Sequence, residues 1–307
     1  MNILFFFLLV VIGDLNGKLE IFSNDTFNLS NVISFQAHSA QINRIKQSPF
    51  NTYVATASGD KTSKIWNVTT ISNWVLIQTY SNHLDQILAL EYINEDTIAT
   101  GDINGTIQIW SISTGLTNLT LNTNIPVWSL KLLSNGYYLA CGLVNKINIY
   151  NIFNGNLIST ISSSIEVNDL VLISSDLLAS SGNDNKVYIY NLTTNSLKFT
   201  LIGHTDCTWG LTLVSTDVLA SGSFDNTTKL WNTTSGELIR TLIGHTNRIT
   251  WSIDMFCSNI LVSGSSDQTL KFWDWSTGEV LNTINTGLNI RSLTVLKSSI
   301  SSENIVS

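Results

Sequence analysis

The 307-residue chain sets 15 Lys and Arg against 22 Asp and Glu, a formal net charge of −7, and only 12% of its residues are charged. This balance argues against nonspecific nucleic-acid binding, because displacing counterions from phosphates takes clustered Lys and Arg. With two prolines and no charge block or Gly/Ser linker there is no evident internal boundary, and all-β chains of this length commonly form one domain.

The chain opens on MNILFFFLLVVIGDLNGKLEIF. Its apolar run, residues 3–12, has the length of a signal-peptide core and is too short to span a bilayer as a helix. It lacks a preceding basic residue and a clear small-residue cleavage site. Residues 9–22 align position for position with residues 97–110, which reads them as two strands joined at Asn16-Gly17, a favoured hairpin dipeptide. Strand and targeting segment both stand as readings of residues 1–12.

From there a pattern repeats to the C-terminus. A closing aromatic recurs at Phe22, Trp66, Trp110, Tyr150, Tyr190, Trp231 and Trp273, at intervals of 40 to 44 residues. Six residues before six of these stands an Asp or Asn: Asn16, Asp60, Asn104, Asp184, Asp225 and Asp267. Before Tyr150 the amide of Asn145 is one residue closer, which predicts a shorter turn. His38, His83, His204 and His245 precede this position by 21 or 22 residues. Between the marks lie short alternating runs, such as residues 209–214 and 218–223, predicting an antiparallel meander. A single such sheet cannot bury both faces, and a period near 40 residues predicts stacked or radial repetition.

On GH at 203 and 244, ASGSFDNTTKLWN at 220–232, VSGSSDQTLKFWD at 262–274, ATASGDKTSKIWN at 55–67 and ATGDINGTIQIWS at 99–111, the chain resembles the WD40 repeat family over nearly its whole length. The resemblance implies an all-β fold, a seven-bladed β-propeller of four-stranded antiparallel blades, as a single domain over residues 1–307. Residues 277–284 then read as an outer strand and 289–297 as an inner strand with no partners after it. Pairing that strand with the N-terminal strands makes a closing blade from residues 1–36 and 285–307, and removes an exposed edge. Residues 302–307 resemble residues 95–100 and compete for the same place; a frayed tail, a competing strand and a truncation remain open.

The resemblance also implies structural tetrads: His38, Thr56, Asp60 and Trp66; His204, Ser221, Asp225 and Trp231; His245, Ser263, Asp267 and Trp273. A fourth, His83, Thr100, Asn104 and Trp110, is expected to be weaker because an amide replaces the carboxylate. The blades closing on Tyr150 and Tyr190 lack the His, and the closing blade lacks His and Trp; these three are expected to rely on apolar packing.

Since all four histidines take the same repeat position, none is left for acid–base work or metal ligation, and no catalytic, cofactor or metal site is expected. The carboxylates Glu91, Glu166, Asp206 and Asp254 show no paired spacing, and Cys141, Cys207 and Cys257 no disulfide or zinc framework. The resemblance implies instead a protein or peptide partner at the narrower top face. Carried over by position, the candidate contact residues are Asn43, Trp128, Asn168, Cys207, Trp209, Phe224, Arg248, Trp251 and Arg291, with three tryptophans converging on one mouth. An aromatic mouth on an acidic protein suits a partner with a basic, Arg- or Lys-bearing motif. The reading is a non-catalytic interaction scaffold: a monomeric propeller within a larger complex, cytoplasmic or nuclear, without nucleic acid or membrane. The alternative is a secreted or membrane-tethered propeller that recognises an extracellular ligand through the same face, with residues 3–12 as its targeting segment.

Overall fold

Short alternating runs bounded by turn residues fold here as strands throughout the computed structural model, which describes residues 8–25, 28–70 and 73–297. Residues 3–7 of the apolar run and the competing tail at 302–307 lie outside the described residues. Blade 1 begins with β1 (Leu8–Asp14), β2 (Lys18–Asp25) and β3 (Asn28–Gln36). Blade 2 is β4 (Ile42–Gln47), β5 (Tyr53–Ser58), β6 (Ser63–Asn67) and β7 (Val75–Tyr80). Blade 3 is β8 (Ile87–Tyr92), β9 (Thr97–Asp102), β10 (Thr106–Ser111) and β11 (Thr117–Asn122). Blades 4 and 5 share one sheet: β12 (Ser129–Leu132), β13 (Tyr138–Asn151), β14 (Leu157–Ser174), β15 (Leu177–Gly182), β16 (Lys186–Asn191) and β17 (Ser196–Ile202). Blade 6 is β18 (Thr208–Ser215), β19 (Val218–Ser223), β20 (Thr227–Asn232) and β21 (Leu238–Ile243). Blade 7 is β22 (Ile253–Cys257), β23 (Ile260–Gly264), β24 (Thr269–Asp274) and β25 (Val280–Asn285). The last strand, β26 (Ile290–Lys297), pairs antiparallel with β1 from Leu8↔Lys297 to Asp14↔Ile290, so both ends of the described chain contribute to blade 1.

The shared sheet still contains two four-stranded blades. The Ile152 N–H donates to Tyr137 O at 3.0 Å, which brings the two ends of β13 together and makes it a hairpin, not a straight strand. Its span, Tyr137 to Ile152, is one residue less than the matching Asp96 to Ile112 span of blade 3, as the position of Asn145 leads one to expect. Five residues before every closing aromatic stands a left-handed residue: Gly17, Lys61, Gly105, Asn145, Asn185, Asn226 and Gln268. This shared turn position sets the reversal from the second strand to the third in each blade. The outer strand of blade 4 runs into the inner strand of blade 5 within β14, with no intervening loop.

Packing between blades makes the core. On β1 and β2, Leu9, Val11, Leu19 and Ile21 pack with Ile42, Val54 and Trp66 of blade 2. The alternate residues Val10 and Ile12, with Phe22, pack with Val262 and Phe272 of blade 7. A strand with period two thus serves two neighbours at once. Among the described residues no helix is long and apolar enough to cross a membrane.

Leu9→Ala should lower unfolding free energy by about 2–5 kcal/mol, because Leu9 is 3% exposed within this core. Leu84→Ala, at 84% exposure, should change it by less than about 0.5 kcal/mol. Urea titrations of the two variants give both values; a neutral Leu9→Ala would mean that β1 is not a working strand.

Candidate functional site

Two positions dominate what the fold presents: the tetrads under the top face, and the mouth where the inner strands begin. In blade 2, His38 Nδ1 is 2.9 Å from Asp60 Oδ2, His38 Nε2 is 2.7 Å from Thr56 Oγ1, and Trp66 Nε1 donates to Thr56 Oγ1 at 3.1 Å. Indole N–H can only donate and carboxylate only accept, so the chain of bonds has one consistent direction. Nδ1–H gives to Asp60, the Thr56 hydroxyl gives to Nε2, and the hydroxyl oxygen receives the indole proton. The same arrangement links His204, Ser221, Asp225 and Trp231, and His245, Ser263, Asp267 and Trp273.

Blade 3 corrects one expectation. His83 Nδ1 meets Asp102 Oδ2 at 2.8 Å, not Asn104, and Thr100 and Trp110 complete the set at 2.8 and 3.3 Å. Counting back from the aromatic locates the turn but not which turn residue supplies the carboxylate. In blades 2, 6 and 7 the residue eight before the aromatic is Ser58, Ser223 or Ser265, whose hydroxyl accepts the N–H of the Asp two residues on. In blade 3 that place is Asp102, which takes both jobs: its Oδ1 accepts the N–H groups of Asn104 and Thr106. Asp14 does the same for Asn16 and Lys18 in blade 1, so Asn16 likewise yields its place to an aspartate. Blade 3 therefore has a full carboxylate tetrad. Where His is missing, other groups fill in: Asp184 of blade 5 accepts from Tyr188 and Lys186, and in blade 4 Asn148 donates to the Tyr150 hydroxyl.

At the mouth, side chains from the beginnings of five inner strands meet, with Phe224 from the turn after β19. Trp209 packs edge-on against Trp251 at 4.6 Å and Trp128 at 6.0 Å, and stacks on Phe224 at 5.3 Å. The Arg248 guanidinium lies 4.6 Å from the Phe224 ring, and those of Arg44 and Arg291 lie 4.0 and 5.0 Å from that of Trp251. Arg248 is exposed; Trp128, Cys207, Trp209, Phe224 and Arg291 are partly so.

Three of the sequence candidates turn inward. Asn43 and Asn168 have no exposed surface. Asn43 Nδ2 donates to Ile87 O of blade 3 and its Oδ1 accepts from Arg291 Nε, both at 2.7 Å; Asn168 Nδ2 donates to Thr208 O of blade 6 at 2.8 Å. Trp251, 5% exposed, spends its indole N–H on Asn168 O at 3.0 Å. These amides and this indole tie blades to one another. They form the floor of the mouth, and a partner would not touch them directly.

Four stretches of the chain, residues 29–67, 74–111, 195–232 and 236–274, match the family model described as WD domain, G-beta repeat, and together they make up just over half of it. The chain belongs to the WD40 repeat family. Each of those four WD40 repeats contains one His–Asp pair and runs from the outer strand of one blade through the first three strands of the next; the three other blades lack the His. Mitochondrial division protein 1 of Schizosaccharomyces pombe (strain 972 / ATCC 24843) is 35% identical over 91 residues, which is 29% of this chain and 13% of that protein. The chain thus matches only a small part of that relative. The crystal structure of the WD40 β-propeller domain of Doa1 superposes with a TM-score of 0.75 at 19% identity, covering 86% of this chain and 88% of that one, a likeness of fold.

Beneath the mouth, this WD40 propeller holds charges whose pairing is not visible in the sequence. A central cavity of about 600 Å³ is lined by Arg44, Lys46, Glu91, Lys131, Asp169 and Asp254, among others. Lys46 and Lys131 both pair with Glu91, and Arg44 with Asp169 at 3.2 Å. Burial lowers the Arg44 pKa to about 10 against the pull of Asp169. Burial alone would raise Glu91, but its two lysines hold it at about 2. Glu91 and Asp254, two of the carboxylates with no paired spacing, are thus committed to structure: Asp254 accepts the Val295 N–H at 2.9 Å. The readable signal was alternation: Arg44 and Lys46 stand two apart on an inner strand, so both face the axis.

Two predictions follow from the tetrads. Asp102→Ala should cost about 1–3 kcal/mol by stranding the buried His83 N–H, while Asn104→Ala should stay within about 0.5 kcal/mol; equilibrium denaturation of both decides between the two assignments. Stability should also fall steadily on acidification. Burial lowers His38 from its ordinary 6.5. For Asp60, Asp225 and Asp267 burial would raise the carboxyl, but hydrogen bonds from the paired His and a turn Thr outweigh it and hold each far below the ordinary 3.8. In both cases the unfolded chain takes up protons first, so the contribution is present at neutral pH. It drains away as pH falls below about 6.5 for His38 and below about 4 for the carboxylates. A urea midpoint unchanged between neutral pH and pH 3.5 would contradict this.

Proposed function

We propose that this protein is a non-catalytic scaffold that holds a protein partner at its top face, around Trp209, Phe224, Arg248 and Arg291, with Trp128 and Cys207 at the edge of the contact. WD40 propellers support protein-interaction roles generally, and the fold alone goes no further than that. The observation that carries the reading is the contiguous aromatic and Arg cluster at one mouth, accessible from outside and braced from below by Trp251, Asn43 and Asn168. Trp, Tyr and Arg on a rigid floor are the residues from which interface hot spots are made. The acidic net charge favours a basic partner overall, but Arg248 and Arg291 give this part of the face the opposite preference. The propeller acts as a monomer inside a larger complex, in the cytoplasm or nucleus. Three unpaired cysteines fit a reducing compartment, and the burial of residues 9–12 in β1 supports a strand there over a removable targeting segment. An extracellular role would cost the protein that strand if the segment were cleaved.

Affinity capture from lysate, quantified by mass spectrometry, tests the face. The double variant Phe224→Ala, Arg248→Ala should lose the wild-type set of captured proteins with its thermal transition unchanged. Phe50→Ala, an exposed aromatic on a turn at the opposite face, should keep it. The reverse pattern would move the partner site to the other face.

A further inference from the structure

Between blades 7 and 1 the top face sinks into a depression of about 390 Å³, lined by Leu15, Phe224, Arg248, Ser266 and Arg291 with the neighbouring asparagines 247 and 289. Both arginines reach it from the beginnings of successive inner strands. Neither has an acidic partner: no described carboxylate lies within ion-pair distance of Arg248 or Arg291. The contrast is local, since in the cavity below Arg44, Lys46 and Lys131 each have one.

Arg291 is the more telling of the pair. Its Nε donates to Asn43 Oδ1 at 2.7 Å and its guanidinium lies 5.0 Å from the Trp251 ring, so the side chain is held in place. A guanidinium has five N–H donors, and this bond uses one. Burial disfavours its charge, and its proximity to Arg44 lowers the pKa of that residue too. A part-buried cation without a counter-charge, close to a second cation, is costly to maintain for packing alone. Arg248 rests on the Phe224 ring and lines the same depression, which brings a second planar donor to it. Leu15, 41% exposed, and Phe224 supply apolar walls.

We propose that this depression is a subsite for one oxyanion, a carboxylate or phosphoryl group, borne by a partner peptide and followed by an apolar side chain that lies against Leu15 and Phe224. Paired guanidinium groups match the planar, two-oxygen geometry of such groups. The peptide part rests on the reading of the top face as the partner site; the anion part does not.

Titrating the full chain with inorganic phosphate, at ionic strength matched with chloride, and following the arginine Nε–Hε resonances by NMR tests the anion part. Phosphate should shift Arg291 and Arg248 saturably and chloride should not. Arg248→Gln, at an exposed position that leaves the fold intact, should weaken phosphate about tenfold, and Arg291→Gln should abolish the response. Lys198→Gln, on an outer strand, should leave it unchanged. Equal responses to phosphate and chloride, or an Arg248→Gln protein that binds as wild type, would overturn the subsite. The blocked dipeptides acetyl-Glu-Leu-amide, acetyl-phosphoSer-Leu-amide and acetyl-Gln-Leu-amide then separate the sources. The first two should bind more tightly than phosphate, the better of them naming the group, and the third should not bind. Peptides no tighter than phosphate would refute the peptide part. Loss of captured partners in the Phe224, Arg248 double variant, together with no phosphate response of the unmutated protein, would refute the subsite and leave the scaffold reading standing.

Discussion

A four-stranded sheet with apolar residues on both faces has nothing to hide them against until a second sheet arrives on each side. That constraint organises this molecule. It makes each blade's stability the property of its neighbours: Val11 serves blade 2 while Val10 serves blade 7, and Trp66 closes its own blade while packing with Leu9 and Ile21 of another. The hydrogen-bonded tetrads act within this arrangement, fixing the angle between the loop before the inner strand and the turn between the second and third. They stiffen blades whose burial comes from elsewhere.

Much of the architecture was legible because burial imposes a period on the sequence. The aromatics at Trp66, Trp110, Trp231 and Trp273 fill equivalent interblade positions, and the left-handed residue five places before each leaves its mark as Gly, Asn, Lys or Gln. What the spacing could not resolve was the choice between chemically similar neighbours in one turn. Asp102 and Asn104 are two residues apart, and the hydrogen bond to His83 decides between them. Likewise, Trp209 and Trp251 hold the same repeat position, yet one faces outward and the other lies beneath it with its N–H bound to Asn168. Position in a repeat indicates which strand end a residue occupies; its depth depends on the residues around it, here Arg44 and Arg291, which come from distant parts of the chain.

Net charge proved a poor guide to local field. The total of −7 does not say which charges are paired: Asp60, Asp225 and Asp267 are engaged by histidines, Glu91 by lysines and Asp169 by Arg44. Cations left without such partners therefore stand out where they cluster, even on an acidic protein. Field lines at a low-dielectric mouth follow the nearest unpaired charges more than the total.

The pairing of β1 with β26 joins positions as far apart as Leu8 and Lys297. During synthesis at about 5–20 residues per second, the apolar strand β1 has no partner on one edge until β26 has followed it, a wait of roughly 15–60 s. Contacts of such sequence separation are the slowest to form, and an unpaired hydrophobic edge is the one most prone to mispairing. The capture of β1 by β26 is therefore a late step in forming this propeller, and a nascent chain of this kind has a long interval in which a chaperone, or another copy, can reach the open edge.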